Sequence, residues 1–106
     1  SFSEFLVMYH LNDAPNMTMR RIDLAECVGL SASGVTRLVN PMEKNHLVQK
    51  EANPRDARVS LVRLSKTGAE LFVYAKTTFE QSSDSIFKPL NKKQITTLLD
   101  HINMLL

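Results

Sequence analysis

Gly29-Leu30-Ser31-Ala32-Ser33-Gly34-Val35-Thr36-Arg37-Leu38-Val39-Asn40 is the stretch that decides the fold. Gly29 can take the left-handed conformation that closes a helix, Leu30 packs inward, and Ser31 caps the next helix with its side-chain oxygen. Two helices joined by so short a turn have the form of a helix-turn-helix. In the second helix Val35, Leu38, Val39 and Met42 recur at i, i+3, i+4 and i+7 as one apolar stripe. Ser33, Thr36, Arg37 and Asn40 fall at the same spacing on another face, and all four carry hydrogen-bonding side chains. A helix buried on one side and lined this way on the other suits a major groove, where phosphate oxygens and base edges both need donors. The solvated face of any amphipathic helix has a similar composition, so the flanking segments must decide between the two readings.

Downstream, Leu47-Val48-Gln49-Lys50-Glu51 and Val59-Ser60-Leu61-Val62-Arg63-Leu64 read as two strands. The loop between them, Ala52 to Arg58, is rich in turn residues and carries Arg55, Asp56 and Arg58 at its tip. A hairpin directly after a recognition helix is the wing of a winged helix, with its tip placed to reach the sugar-phosphate backbone or a minor groove. The combination is far more specific than either part.

Upstream, a capping box at Ser1 and Glu4 opens a helix over about residues 3–12, with Phe2, Phe5, Leu6 and Tyr9 at helical spacing. Met19–Arg21 is short and extended, and Ile22, Leu24, Ala25 and Val28 mark the apolar side of the helix that Gly29 closes. Beyond the wing, Ser65-Lys66-Thr67-Gly68 opens a long helix carrying Leu71, Phe72, Ala75 and Phe79 along one face, and Pro89 ends it. Asn91-Lys92-Lys93-Gln94 then resembles a second capping box, followed by Ile95, Leu98, Leu99, Ile102, Leu105 and Leu106. These last helices hold more apolar surface than so small a wing domain needs, and part of it is expected to be buried against a partner subunit. The predicted fold is mainly α with a small β wing (α+β). Residues 1–64 form a winged helix-turn-helix with its recognition helix at about 32–45 and its wing at about 47–64; residues 65–106 form a helical dimerisation region continuous with it.

Composition limits the alternatives. A chain of 106 residues, 43% hydrophobic and 23% charged, has room for one ordinary core. Its net charge of +2 is too mild to indicate nucleic acid, but Arg37 to Lys66 holds seven basic residues against three acidic ones, and the remainder is net acidic. One cysteine, Cys27, excludes an intramolecular disulfide framework and a multi-cysteine zinc site, and it reads as a small packing residue. No apolar run approaches the roughly 18–20 residues that would span a bilayer, and Phe2–Leu11 lacks the flanks of a signal peptide. A cytoplasmic location is expected.

The chain resembles the MarR family of bacterial winged-helix transcription regulators. The residues that carry the resemblance are Asp23-Leu24-Ala25-Glu26, Gly29-Leu30-Ser31, Val35-Thr36-Arg37-Leu38-Val39 and Leu47-Val48. Most specific is Asp56-x-Arg58 running into Leu61-x-x-Leu64-Ser65-x-x-Gly68, which is similar to the family's wing signature. A carboxylate two residues from a guanidinium can hold it in one rotamer before it meets DNA. The resemblance implies a homodimer, repressing in sign and associated with the nucleoid, that binds double-stranded DNA at a pseudo-palindrome. Ser33, Thr36, Arg37 and Asn40 would meet bases, while Ser31, Gly34 and the wing residues Arg55, Asp56 and Arg58 would approach phosphates. It also implies release by a small aromatic acid or phenol bound where the wing domain joins the dimer helices, with no cofactor and no metal.

Three features depart from the family pattern. Members begin with a further long helix that interlocks with the last two in the dimer; ahead of Ser1 none is present, so either the native chain is longer or dimerisation is weakened. Pro41 lies inside the recognition helix, removes the N–H that would bond the Arg37 carbonyl, and is expected to bend or end it. Asn45-His46 stands where a glycine commonly closes this helix, and both types tolerate a positive φ. Two other function classes remain. A winged helix can serve as a protein-contact module, although four small hydrogen-bonding residues and a basic wing argue against it. An enzyme finds little support: His10, His46 and His101 lack metal-ligand or triad spacing, and Gly29, Gly34 and Gly68 form no phosphate cradle.

Overall fold

The computed structural model describes all 106 residues. Helix α1 (Phe2–Asp13) starts on a reciprocal cap, in which the Ser1 hydroxyl accepts from the Glu4 N–H at 3.3 Å and the Glu4 carboxylate reaches back to the Ser1 amino group. It buries Val7, Met8 and Leu11. The sequence reading placed Phe2 and Tyr9 on the inward stripe with Phe5 and Leu6, and this is corrected: Phe2 is 59% and Tyr9 45% exposed. The segment is apolar almost all round, so periodicity cannot single out a stripe. Its second face sets the Phe5 and Tyr9 rings 5.6 and 6.2 Å from the ring of Phe72.

A short 3-10 turn (Pro15–Met17) leads into β1 (Thr18–Arg20), α2 (Arg21–Val28) and α3 (Ala32–Lys44). The hairpin β2 (Val48–Asn53) and β3 (Asp56–Leu64) follows, then α4 (Lys66–Phe87) and α5 (Lys92–Leu105). The extended segment at Met19 proves to be a third strand: β1 pairs antiparallel with β3, Met19 opposite Val62, and the sheet runs β1-β3-β2. The hairpin strands also run further than expected, so the turn is Pro54-Arg55 alone and not the whole of Ala52–Arg58. The register slips between Ala52 and Asn53, so that Ala52 faces Ser60 while Asn53 faces Asp56. A bulge of this kind lets Ala57, Arg58 and Val59 remain in strand conformation without breaking the ladder.

The chain divides into two compact units, Ser1–Ala75 and Lys76–Leu106. In the first, the core gathers Val7, Leu11, Leu24, Val35, Val39, Met42, Val48, Val62, Leu64 and Phe72, with no polar or charged side chain among them. The α3 stripe is seated as its spacing requires: Val35, Val39 and Met42 are buried, and Leu38 packs on the edge of the core. Ile22 and Leu30, both expected inward, are 64% and 41% exposed. Cys27 is exposed too, on the outer side of α2, so it does not serve packing. The second unit holds the rest of α4 and α5. Asn91 opens α5 with the expected capping box, its side chain accepting from the Gln94 N–H at 2.9 Å and the Gln94 side chain returning to the Asn91 N–H at 2.9 Å. No residue of α5 is buried, and Leu99, Ile102, Leu105 and Leu106 stand exposed.

Pro41 does not end α3, one of the two outcomes expected of it, because the helix continues to Lys44. Proline removes a single donor, and Pro41 sits on the exposed side of a helix whose buried side, at Val39 and Met42, is held by the core. His46 takes the positive φ that closes the helix (+61°), while Asn45 stays at negative φ.

Candidate nucleic-acid interface

The turn before α3 is built as its residues dictate. Gly29 adopts φ +72°, where a side chain would be strained, and the Leu30 N–H bonds back to the Ala25 carbonyl at 3.0 Å. The Ser31 hydroxyl accepts from the Gly34 N–H at 3.0 Å and lies 3.2 Å from the Ser33 hydroxyl. At Gly34 a Cβ would sit 3.2 Å from the Ser31 oxygen, so glycine leaves that cap uncrowded. Ser31, Ser33 and Gly34 thus form one cluster at the start of the helix, where the unpaired N–H groups favour anions.

Along the polar face the four candidate readers differ. Arg37 is exposed and makes no hydrogen bond or ion pair. Ser33 is exposed as well. Thr36 is half-buried, and its hydroxyl donates to the Ala32 carbonyl at 3.1 Å while accepting from Arg21 Nη1 at 2.8 Å. The amide oxygen of Asn40 accepts from the Lys50 ammonium of β2. Glu43, one helical turn on, accepts from the Lys50 backbone N–H at 3.2 Å and lies 3.7 Å from its ammonium. Sequence reasoning missed Arg21, Lys50 and Glu43. For Lys50 a signal existed: the two-residue period of a strand puts it on the same face as the buried Val48, facing α3. For Arg21 there was none, because its partner lies fifteen positions away in another helix.

The wing tip is preorganised. Asn53 Oδ1 accepts from the Arg55 N–H at 2.9 Å, which fixes the turn and leaves the Arg55 side chain exposed. Asp56 accepts three times from Arg58: from its backbone N–H at 3.0 Å, from Nε at 3.1 Å and from Nη2 at 3.2 Å. The guanidinium is nevertheless 92% exposed, so its direction is fixed while its outer donors stay available. The Arg58 side chain, and after it the Arg58 N–H, hold the Asp56 carboxyl below its ordinary value. A depressed carboxyl keeps the contact complete above the ordinary carboxylate range and loses it as pH falls through the lowered value. In an NMR titration the Asp56 carboxyl carbon should turn over below the ~3.9 of an unperturbed aspartate, and Arg58→Ala should move that midpoint upward. An identical midpoint in the two proteins would mean that Asp56 does not hold Arg58.

A cleft of about 360 Å³ lies between α3 and the hairpin, with Arg21, Thr36 and Lys50 among its lining residues. No helix is long and apolar enough to cross a membrane.

The model of the MarR family matches residues 1–60. Among curated proteins, the uncharacterized HTH-type transcriptional regulator YhbI of Bacillus subtilis is 22% identical over 95 residues, and the alignment covers 90% of this chain and 60% of that relative. Two regulators from Streptomyces coelicolor share the fold. PcaV, solved with its natural ligand, superposes at a TM-score of 0.90 with 22% identity, covering 99% of this chain and 73% of that one. Sco3205, a MarR family regulator solved in complex with DNA, superposes at 0.92 with 21% identity, covering 98% and 66%. The fold is therefore a winged helix-turn-helix with a three-stranded sheet and C-terminal helices.

Proposed function

The chain belongs to the MarR family, and from that premise we propose that it is a sequence-specific double-stranded DNA-binding regulator of transcription, repressing in sign, and not an enzyme. The observation that carries the reading is the pairing of an exposed, unbonded Arg37 on α3 with a wing arginine held outward by Asp56. Two copies place their α3 helices in successive major grooves of a pseudo-palindrome, roughly one helical turn apart. Arg37 and Asn40 meet base edges, with Ser33 and Thr36 beside them. Ser31, Gly34, Arg55 and Arg58 approach phosphates, Asp56 acting through Arg58.

Residues 1–64 supply the DNA-binding part and residues 65–106 the dimerisation part. Support for the second assignment comes from the exposed Leu99, Ile102, Leu105 and Leu106 of α5, a stripe too apolar for a free surface. The location proposed is the cytoplasm, at the nucleoid. As PcaV is solved with a natural ligand, a small aromatic acid or phenol that prefers one spacing of the two α3 helices would release the DNA.

Fluorescence anisotropy on pooled duplexes across several salt concentrations, with the bound mass determined in parallel, tests the reading. Binding by a dimer to a subset of duplexes, falling steeply with salt, is expected. Arg58→Ala should weaken all duplexes alike and flatten the log–log salt slope by about 1 for each copy bound. Binding that ignores salt would favour a protein-contact module, and an unchanged slope with unchanged affinity would take Arg58 out of the interface.

A further inference from the structure

We infer that Lys50 is a positioning residue that turns the Asn40 amide so that it reads bases chiefly as a donor, and that this position of α3 selects base edges carrying acceptors, guanine's above all. The inference rests on the proposed entry of α3 into a major groove. An asparagine amide has one accepting oxygen and one donating NH₂, whereas an ammonium only donates. The Asn40 oxygen therefore has to be the atom that faces Lys50, and the NH₂ is turned away from it.

Lys50 is itself held in place. Its backbone N–H bonds to Glu43 at 3.2 Å, its ammonium lies 3.7 Å from the other Glu43 oxygen, and its register opposite Val62 puts it on the strand face that meets α3. The ion pair between half-exposed side chains adds little energy, but it gives the ammonium a fixed place between Asn40 and Glu43.

The groups next to Asn40 on the reading face add little accepting capacity. Arg37 only donates. Thr36 is half-buried, its single hydroxyl proton is directed at the Ala32 carbonyl, and Arg21 Nη1 takes one of its two accepting sites. Adenine recognition by asparagine is bidentate: the NH₂ donates to N7 while the oxygen accepts from the N6 amino group. With that oxygen held by a cation, which also repels the polarised N6 hydrogens, the second half of the pair is disfavoured. Guanine presents N7 and O6, two acceptors side by side, and asks for donors only.

The test is selection from a random double-stranded library with the full chain and with Lys50→Met and Lys50→Arg, followed by anisotropy on the selected duplexes. Wild type should enrich a half-site with guanine at the Asn40 position. Lys50→Met, which frees the Asn40 oxygen, should shift the preference at that one position from guanine to adenine by about tenfold. Lys50→Arg, which keeps a donor there, should retain guanine. Identical half-sites for wild type and Lys50→Met would overturn the inference, as would Lys50→Arg following Lys50→Met. Loss of all selection in Lys50→Met alone would make Lys50 a direct contact and overturn its positioning role. Failure of wild type to enrich any duplex would sink the DNA-reading proposal, and this inference with it.

Discussion

Gly68→Ala is expected to destabilise the fold by about 3 kcal/mol or more, beyond the usual range for a single added methyl in a packed site. A Cβ on Gly68 would lie 2.1 Å from the Leu47 carbonyl oxygen, 3.0 Å from the carbon of that carbonyl and 2.7 Å from Leu64 Cδ1. Leu64 could swing its side chain, but Leu47 presents backbone. That carbonyl accepts the Ser65 N–H at 3.0 Å and lies 3.0 Å from the Ser65 hydroxyl, which in turn accepts from the Gly68 N–H at 2.9 Å. Relief of the clash therefore has to separate the first turn of α4 from the start of β2 and break these bonds together. Ser65→Ala removes the cap and the hydroxyl's bond to the His46 carbonyl without introducing a clash, and should cost about 1–2 kcal/mol. Urea unfolding of both variants checks the ordering, and a wild-type midpoint for Gly68→Ala would show that α4 does not seat against Leu47. This close approach explains why Ser65-x-x-Gly68 follows the second wing strand at a fixed distance: serine ties α4 to His46 and Leu47, just ahead of β2, and glycine lets it come close enough to be tied.

What could be read from the sequence was local. Gly29 and its positive φ, the Ser31 cap, the Val35-Val39-Met42 stripe and the Asn91 capping box each depend on residues within one or two turns of one another. Where the reading failed, the deciding partner was distant. Phe2 and Tyr9 looked like part of an inward stripe because the apolar residues of α1 are spread around the helix, and only the position of Phe72 shows which face meets the α4 ring. Pro41 looked like a helix breaker because its lost hydrogen bond is visible in sequence, whereas the buried Val39 and Met42 that hold the helix on either side are a tertiary matter. The candidate site divides in the same way. Asp56 and Arg58, two residues apart, were legible as a pair; Thr36 with Arg21 and Asn40 with Lys50 were not, since each joins separate elements.

These hidden partners change what the polar face of α3 offers. Of four hydrogen-bonding side chains, three have part of their capacity occupied, so their recognition chemistry is narrower than their residue types imply. The largest remaining capacity belongs to Arg37, which has five guanidinium donors and no partner within the protein. Arg37→Ala is expected to weaken binding to the preferred duplex by about 2–6 kcal/mol per dimer, because a bidentate arginine–guanine contact discriminates by about 1–3 kcal/mol and two copies act on one operator. On unrelated duplexes, where Arg37 has at most a phosphate to meet, the loss should be much smaller. The specific and non-specific affinities should therefore converge, the opposite of the uniform loss expected for Arg58→Ala. Arg37→Lys should recover part of the non-specific affinity and little of the specificity, since an ammonium lacks the planar fork that spans two acceptors. Anisotropy titrations of the three proteins on the selected duplex and on a scrambled one, at one salt concentration, separate these outcomes. Equal losses on both duplexes would make Arg37 a backbone contact and leave sequence reading to Asn40 and the shape of the DNA.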